Sequence, residues 1–397
     1  MIRLSFKNRL LKKYLERFDQ SSFNLTFETG EELHIGNSPA LFNVVMKDTL
    51  SYKELLKSTT LTLGEAYMDG TLEIQGDLYE ALNEFLKYSS KFNKDEHALK
   101  KLLYTSSSVK NQKNEVCSHY NIGNSFYKLW LDETLSYSCA YYKSPKDSLY
   151  QAQLNKIDYI LKKLNLKPNM TLLDIGCGWG YLLIEAAKKY KVHGLGITLS
   201  EEQHDEFQNR IIEEGLEDSL EVKIMDYRDL EKSKLSFDRV VSVGMLEHVG
   251  RENYDLFFQN VDYVLKDKGL FLLHYISSLH ESPGDPWIKK YIFPGGVIPS
   301  LREIVALSAQ FNYRVQDIES LRSHYVKTLL CWYHRFESNL PKIEALFDER
   351  FIRMWRLYLC GCAASFNNGM IDLHQILFTK GINNTLPLTR EYLYKES

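Results

Sequence analysis

The sequence predicts an α/β protein in which a Rossmann-like, doubly wound sheet follows a small α+β domain. Strand and helix patterns alternate from about residue 117 onward, which is typical of a parallel sheet with crossover helices. An apolar strand at 172–175 runs directly into a glycine-rich turn and a helix. Residues 22–50 instead alternate apolar and polar side chains in short stretches, which indicates a small separate sheet.

The elements of the larger domain follow in chain order. Strands are predicted at 171–175, 192–197, 220–225, 239–243 and 270–276, with helices between them such as 182–189 and 201–214. Two later strands are predicted at 313–318 and 375–378, with helices at 324–339 and 343–366 inserted between them. We expect this helical insertion to cap the crevice at the carboxyl ends of the strands.

The chain is expected to divide into three regions. They are an N-terminal domain at 1–90, a linker at 91–116 rich in Lys, Ser and Asn, and the larger domain at 117–397. The first segment, 2–18, places apolar residues near helical spacing, with Lys and Arg largely on other faces. Such a helix can lie on an anionic membrane surface, and it can equally dock on its own domain.

The composition excludes several functional classes. With 397 residues and a net charge of −3, the chain has ample core and no basic footprint for nucleic acid. Its six cysteines include no CxxC pair, which favours a reducing cytosol, and Cys360 and Cys362 alone do not predict a metal site. No apolar run reaches the roughly 18 to 20 residues that a membrane span requires.

The glycine-rich turn indicates the cofactor. The sequence G-C-G-W-G at 176–180 lets the backbone approach a ligand closely, in the strand–turn–helix context of a nucleotide site. A dinucleotide turn would need glycine where Tyr181 stands, and an acidic residue where the next strand ends in Thr198. The spacing therefore favours S-adenosylmethionine (SAM), which has no pyrophosphate to seat.

Polar side chains follow the predicted strands at their carboxyl ends, where an α/β sheet binds its ligand. Asp174 precedes the turn, and the other residues placed to contact the cofactor are Thr198, Gln203, Tyr227 and Arg228. Glu247 follows the fourth strand and His274 ends the fifth. A carboxylate there is costly to bury unpaired, which favours a functional role. Cys139 and Cys362 lie among apolar and small residues, as buried structural thiols do.

Several motifs recur together in order. In the larger domain they are YNIGNSFY at 120–127, LSYSC at 135–139, LLDIGCGWG at 172–180, GITLSEEQ at 196–203, FDRVVSVGMLEHVG at 237–250, DPWIKKYIFPGG at 285–296 and CAASF at 362–366. With LGEAYMDG at 63–70, this set resembles the cyclopropane-fatty-acyl-phospholipid synthase family. Two departures are small: Tyr181 replaces a frequent glycine, and Leu246 replaces a common aromatic residue.

The resemblance implies a SAM-dependent C-methyltransferase that forms a cyclopropane ring at the cis double bond of an unsaturated acyl chain in a membrane phospholipid. Attack of the alkene on the sulfonium methyl leaves a carbocation-like centre. The pocket must therefore exclude water, and a base must remove one proton from the new methyl. Aromatic side chains stabilise such a cation by about 0.5–2 kcal/mol each.

The resemblance also implies roles for individual residues. The base in the family is a bound bicarbonate, whose ligands correspond to Cys139, Glu247, His274, the Ile276 backbone and Tyr325. The SAM contacts correspond to Tyr137, Ser138, Gly176, Gly178, Thr198, Gln203, Tyr227 and Arg228. Cys362 matches a cysteine that the family assigns to the active site. We interpret it as lining the pocket, since direct methyl transfer needs no covalent step.

The implied partners are an unsaturated phospholipid, an anionic membrane surface and a second copy of the chain. The expected location is cytoplasmic, peripheral to the inner face of the cell membrane. Three alternatives stay open. They are an enzyme with a methyl-branched or methylene product, a small-molecule N-methyltransferase, and a lipid-binding protein without enzymatic activity.

Overall fold

The computed structural model describes residues 21–88 and 123–394. The predicted helix at 2–18 and the whole of the predicted linker at 91–116 lie outside the described residues, as do residues 89–90 and 117–122. The strands are β1 (Phe23–Thr26), β2 (Glu32–Ile35), β3 (Asn43–Met46), β4 (Leu72–Gln75), β5 (Thr171–Ile175), β6 (His193–Thr198), β7 (Leu220–Ile224), β8 (Phe237–Val243), β9 (Leu265–Ser277), β10 (Tyr313–Ser320) and β11 (Asp372–Lys380).

The α-helices of the described residues vary from one turn to five. They are α1 (Tyr52–Lys57), α2 (Thr59–Met68), α3 (Leu78–Lys87), α4 (Asn124–Trp130), α5 (Leu149–Lys163), α6 (Tyr181–Tyr190), α7 (Glu201–Glu213), α8 (Leu230–Ser233), α9 (Tyr254–Val264), α10 (Pro286–Tyr291), α11 (Leu301–Gln310), α12 (Arg322–Ser338), α13 (Leu340–Glu344), α14 (Glu349–Asn367) and α15 (Glu391–Tyr394). Within this part of the chain, no helix combines the length and the hydropathy that crossing a bilayer requires.

The described residues form two compact units. The first contains 21–88, 285–292 and 329–370, and the second contains 123–284, 293–328 and 371–394. The predicted larger domain at 117–397 is thus divided between them. The predicted domain boundaries, and the role of the late helices as a cap, stay predictions.

The first unit is built on a four-stranded sheet in the order β2-β1-β3-β4. β1 pairs antiparallel with β2 and parallel with β3, and β3 pairs antiparallel with β4. Two late segments join this unit through polar contacts. The Tyr291 hydroxyl in α10 donates to Glu65 Oε1 at 2.6 Å, and Arg353 Nη2 in α14 donates to Glu73 Oε2 at 3.1 Å.

The second unit contains a seven-stranded sheet in the order β10-β11-β9-β8-β5-β6-β7. β5 to β9 are parallel, whereas β11 runs antiparallel between β9 and β10. Successive side chains of a strand point to opposite faces, so Leu172 joins one buried cluster and Leu173 another. Because both faces are covered, the sheet is doubly wound. The predicted α/β fold, with its small N-terminal sheet, is confirmed.

Most predicted elements end within a few residues of the observed ones. β9 is longer than predicted because it already pairs with β8 at Leu265. The single helix predicted at 343–366 is wrong, because two helices, α13 and α14, occupy that stretch. The Asp348 carboxylate accepts a hydrogen bond from the Phe351 backbone N–H at 2.8 Å, which caps α14 and separates it from α13.

Candidate active site

A pocket of the second unit lies at the carboxyl ends of β5, β6, β7 and β8. β5 and β8 are neighbours, yet the chain passes from β5 through β6 and β7 before it crosses back to β8. Open α/β sheets bind their ligands at such a switch point. The predicted cofactor-binding residues in the lining are Tyr137, Ser138, Asp174, Gly176, Gly178, Thr198, Gln203 and Tyr227.

The glycine-rich turn forms one wall of the pocket. Gly176, Gly178 and Gly180 have φ angles of +80°, +55° and +80°, which glycine adopts without strain. The backbone N–H groups of Gly176 and Cys177 both donate to the Ile197 carbonyl, at 2.9 and 3.1 Å. The turn is therefore fixed to the end of β6 by main-chain contacts.

A second wall is formed where β6 leads into α7. The Thr198 hydroxyl donates to Gln203 Oε1 at 2.8 Å, and both side chains are buried. The Ser200 hydroxyl accepts from the Gln203 backbone N–H at 3.3 Å and caps the helix. This local network orients Gln203 and leaves its amide nitrogen available as a donor.

Helix α5 supports the loop that carries Tyr137 and Ser138. Gln153 Nε2 donates to the Ser138 carbonyl at 2.9 Å, and Lys156 Nζ donates to the Ser138 hydroxyl at 3.0 Å. Gln153 belongs to a motif that carries the family resemblance, but sequence reasoning predicted a site role for neither residue. A signal was present, because Gln153, Lys156 and Lys163 interrupt the apolar face of this helix at spacings of three and seven.

The pocket holds an acid and a base with shifted pKa values. Burial raises the pKa of Asp174 to about 7, although the Lys156 charge opposes this, and burial lowers the pKa of Lys156 to about 8. Asp174 Oδ1 is buried without a hydrogen-bond partner among the residues that the structure describes. Both side chains line the pocket, so an opposite pair of charges is available for a zwitterionic ligand.

Glu247 and Ile276 are brought together directly. Glu247 lies in a 3₁₀ turn after β8, and its Oε1 accepts the Ile276 backbone N–H at 2.6 Å. Burial raises the pKa of this carboxyl to about 7, and the hydrogen bond from Ile276 opposes the shift. Glu247 Oε2 has no hydrogen-bond partner within 21–88 and 123–394. One acceptor atom of a buried carboxyl is thus left over.

His274 is also buried with one ring nitrogen left over. Its Nδ1 lies 3.1 Å from Gln375 Nε2, and its Nε2 has no partner in the described part of the chain. Burial, with the nearby charges of Lys156 and Lys163, holds the pKa of His274 well below its usual value. The imidazole is therefore neutral at pH 7.

Cys139 and the Tyr325 backbone both contact the Leu321 carbonyl, next to the start of α12. The Cys139 sulfur lies 3.8 Å from the Leu321 carbonyl, which also accepts the Tyr325 backbone N–H at 3.1 Å. Burial raises the pKa of the Cys139 thiol, and the Lys156 charge opposes the rise. The Lys156 charge acts on Asp174, Cys139 and His274, so at least one residue of each predicted set, cofactor and bicarbonate, lies within electrostatic range of this ammonium group.

The predicted bicarbonate ligands lie outside the pocket lining, and so do two other predicted site residues. Arg228 is not among the lining residues, and its guanidinium forms two hydrogen bonds with the Asp226 carboxylate. Cys362 belongs to α14 in the first unit. Burial raises the pKa of the Cys362 thiol to about 12, so the thiolate needed for covalent attack is scarce at pH 7. The roles of both residues stay predictions.

Residues 107–376 match the sequence model of a family described as mycolic acid cyclopropane synthetase. The chain belongs to this family. A second sequence model, for a domain of unknown function, matches residues 10–97. The predicted membership of the cyclopropane synthases, and with it the class of SAM-dependent methyltransferases, is confirmed.

Curated relatives cover nearly all of this family member. A probable fatty acid methyltransferase of Pseudomonas putida is 39% identical over 92% of this chain and 94% of its own length. The cyclopropane-fatty-acyl-phospholipid synthase of Escherichia coli K12 is 39% identical, over 89% of this chain and 92% of its own. The crystal structure of mycolic acid cyclopropane synthase CmaA1 complexed with SAH and CTAB is 36% identical, with a TM-score of 0.64, over 68% of this chain and 98% of that one.

Lys156 provides a prediction about SAM binding. The Lys156→Met variant should bind SAM roughly ten- to a hundredfold more weakly, because a hydrogen bond to a charged group contributes about 1.5–3 kcal/mol. In the wild type, affinity should fall below pH 7, where Asp174 gains a proton, and above pH 8, where Lys156 loses one. Titration calorimetry at pH 6, 7.5 and 9 measures both limbs.

Lys156→Met distinguishes the fall in SAM affinity at acidic pH from the fall at alkaline pH. Lys156→Met should keep the acidic fall and lose the part of the alkaline fall that exceeds the ligand's own titration. Lys162→Met is the matched control, because Lys162 lies on the same helix and pairs with Asp158 at 3.1 Å outside the pocket lining. Equal SAM affinities for the wild type and Lys156→Met would remove Lys156 from the binding site.

Proposed function

We propose that this protein transfers the methyl group of SAM to the cis double bond of an unsaturated acyl chain in a membrane phospholipid and closes a cyclopropane ring. The proposal is supported by the named E. coli relative, of which this chain covers 92%. That coverage includes the N-terminal part as well as the catalytic part. The observation that carries the proposal is the pairing of a SAM pocket with a buried, partly unsatisfied Glu247 and His274 in the same unit.

The residues of the pocket would hold SAM by both of its ends. SAM supplies an electrophilic methyl group on a sulfonium, together with a zwitterionic amino-acid tail. Asp174 and Lys156 offer opposite charges for that tail. The Thr198–Gln203 pair, which also lines the pocket, leaves an amide donor for the ligand. The backbone at Gly176 and Gly178 carries no side chain that would block close approach.

Glu247 Oε2 and His274 Nε2, both buried without a partner in the described residues, could form hydrogen bonds with a bicarbonate ion. A carboxylate oxygen accepts a hydrogen bond, and the protonated nitrogen of a neutral imidazole donates one. Bicarbonate has one O–H and several acceptor oxygens, and it would supply a base for the proton that the transferred carbon loses. Glu247 would orient the O–H, and the Ile276 N–H fixes Glu247 in turn.

A second candidate differs only in its product. The Pseudomonas relative is named a probable fatty acid methyltransferase, which favours a methyl-branched or methylene acyl chain. The first step is shared, and the way in which the positive centre loses its proton decides the product. Neither of the two curated relatives described above is named a small-molecule N-methyltransferase, the other enzymatic alternative.

A turnover assay tests the proposal. The full chain is incubated with SAM carrying a CD3 methyl, with bicarbonate and with vesicles of cis-unsaturated phospholipid, and the acyl products are analysed by mass spectrometry and NMR. We expect a product heavier by one CD2 group, with cyclopropyl signals and no olefin. A branched or methylene product would exclude ring closure and support the second candidate, a fatty acid methyltransferase. Binding of SAM without a lipid product would overturn both.

We also propose that the enzyme works as a homodimer at the cytoplasmic face of the membrane. The segment at 2–18 lies outside the described residues, so this part depends on its sequence pattern. Lys12→Glu with Lys13→Glu should weaken binding to anionic vesicles at least about thirtyfold, since each of the two basic residues near such a surface contributes about 1 kcal/mol. Co-sedimentation with vesicles measures the loss, and sedimentation velocity tests the dimer.

The matched control for charge is Lys188→Glu with Lys189→Glu, an adjacent exposed pair in α6. Its net charge changes by the same amount, so a general charge effect would weaken both variants equally. SAM affinity should be unchanged in each. Wild-type vesicle binding by Lys12→Glu with Lys13→Glu would show that this segment does not lie on the membrane.

A further inference from the structure

Three buried or partly buried polar residues form a row across the antiparallel part of the sheet. Gln375 in β11 is directly opposed to Glu319 in β10 and to His274 in β9. Directly opposed residues of neighbouring strands share one face of a sheet and lie close together. Lys163, the last residue of α5, reaches this row, with Nζ 2.6 Å from Glu319 Oε2 and 3.0 Å from Gln375 Oε1.

Lys163 is an unusually buried ammonium group. Its side chain is 1% exposed, and its third polar neighbour is Asp317 Oδ2 at 3.3 Å. The two carboxylates compensate the charge that burial would otherwise penalise. An ammonium group has three donors and no acceptor, so the atom of Gln375 that faces it has to be the amide oxygen.

The orientation of Gln375 determines the protonation of His274. With Oε1 turned to Lys163, the amide nitrogen Nε2 faces His274 Nδ1 at 3.1 Å. An amide nitrogen only donates, so Nδ1 has to accept and carries no proton. In a neutral imidazole the proton then lies on Nε2. That nitrogen is the buried one without a partner in the described part of the chain.

We infer that Lys163 and Gln375 are positioning residues that hold His274 as the Nε2–H tautomer, so that it presents a donor to an anion. The inference rests on the proposed function, because that function supplies the bicarbonate. The opposite tautomer would present a lone pair to an anion and repel it. Glu247 Oε2, an acceptor, and His274 Nε2–H, a donor, would then bind complementary parts of the same ion.

Nitrogen NMR tests the tautomer without any turnover. The full chain is labelled with 15N-histidine, and the couplings between ring nitrogens and ring protons distinguish the two tautomers and the imidazolium at pH 7. Loss of one signal set in His274→Asn assigns it among the 11 histidines. We expect Nε2–H in the wild type without ligand. An Nδ1–H tautomer or an imidazolium would overturn the inference.

Gln375→Glu should move the proton of His274 to the other ring nitrogen or add a second proton. A carboxylate has no donor, so His274 Nδ1 has to carry a proton, and the ring becomes Nδ1–H or imidazolium. We expect that switch in the spectrum, with kcat at least about tenfold lower, since a wrong histidine tautomer can disable catalysis on its own. SAM affinity should be unchanged. A variant that keeps the Nε2–H signal would overturn the inference.

Gln316→Glu is the matched control. Gln316 lies in the same sheet, in the neighbouring strand β10, but it is exposed and donates to the Thr379 hydroxyl at 3.4 Å. It should change neither the His274 spectrum nor the rate. The experiments can contradict the tautomer inference and the proposed function independently of each other. If the tautomer behaves as expected but turnover does not depend on added bicarbonate, the inference about the row stands, and the role of bicarbonate in the proposed function falls.

Discussion

Glu247→Gln is expected to reduce turnover at least about a hundredfold, the low end of what a positioned acid–base group contributes. The amide keeps the size of the side chain and an acceptor for the Ile276 N–H, but it replaces the free carboxylate oxygen by a donor or a weaker acceptor. SAM affinity should change little, because Glu247 is outside the lining of the pocket that we propose for SAM. Initial rates with SAM and phospholipid vesicles measure the loss.

The same residue predicts a pH dependence. The pKa of Glu247 is raised to about 7, and the proposed role needs the ionised form. At saturating SAM, where protonation of Asp174 does not limit cofactor binding, wild-type turnover should therefore fall as the pH drops below 7. The residual turnover of Glu247→Gln should lack the part of this fall that Glu247 causes. Glu214→Gln, an exposed carboxylate paired with Lys188, is the control and should keep the wild-type profile.

Stability measurements show whether the variant is folded. The folded-state pKa lies above the unfolded value of 4.5, so the protonated carboxyl stabilises the folded state below pH 4.5, and this contribution is lost as the pH rises through 7. Glu247→Gln should thus gain stability relative to the wild type at pH 8. Wild-type turnover in a folded variant would exclude Glu247 from the mechanism.

Gly180→Ala is expected to lower the free energy of unfolding by about 2–5 kcal/mol. Its φ of +80° costs an L-residue about 1–2 kcal/mol. The added Cβ would also lie 2.0 Å from the ring of Phe207, which is fully buried. Moving a packed aromatic ring adds about 1–3 kcal/mol. Urea unfolding, followed by tryptophan fluorescence, measures the change.

Gly178→Ala is the control that separates strain from crowding. Gly178 has a φ of +55°, and a Cβ there would meet nothing within 4 Å. It should cost only the backbone term of about 1–2 kcal/mol. Equal losses for the two variants would show that the contact with Phe207 contributes nothing to the effect at Gly180.

Much of the fold, and many of the residues that line the pocket proposed for SAM, were predictable from the sequence because their signals are local. An apolar strand, a glycine turn and a helix start are adjacent in the chain, and polar residues at strand ends follow from the topology. Asp174, Thr198, Gln203 and Tyr227 lie in the pocket for this reason. Arg228 also follows a strand end, but its guanidinium pairs with the carboxylate of Asp226, two residues earlier in the chain.

Lys156, Lys163 and Gln375 escaped sequence reasoning. A lysine on a helix is usually solvated, and only burial shows that Lys156 and Lys163 face inward. The interruptions of the apolar face in α5 were visible, but the partners that compensate them were not. Those partners lie on strands far along the chain, so no local pattern names them.

By itself, the sequence determined the fold class, the cofactor and the family, since each follows from short motifs in a fixed order. Only the tertiary structure decided which residues act on one another. Lys163 and Gln375 are 212 positions apart, and Gln375 and His274 are 101 apart. The grouping of 285–292 and 329–370 with the N-terminal residues in one unit likewise depends on contacts between residues far apart in the chain. Long-range contacts depend on strand order and register, which emerge only when the whole sheet has formed.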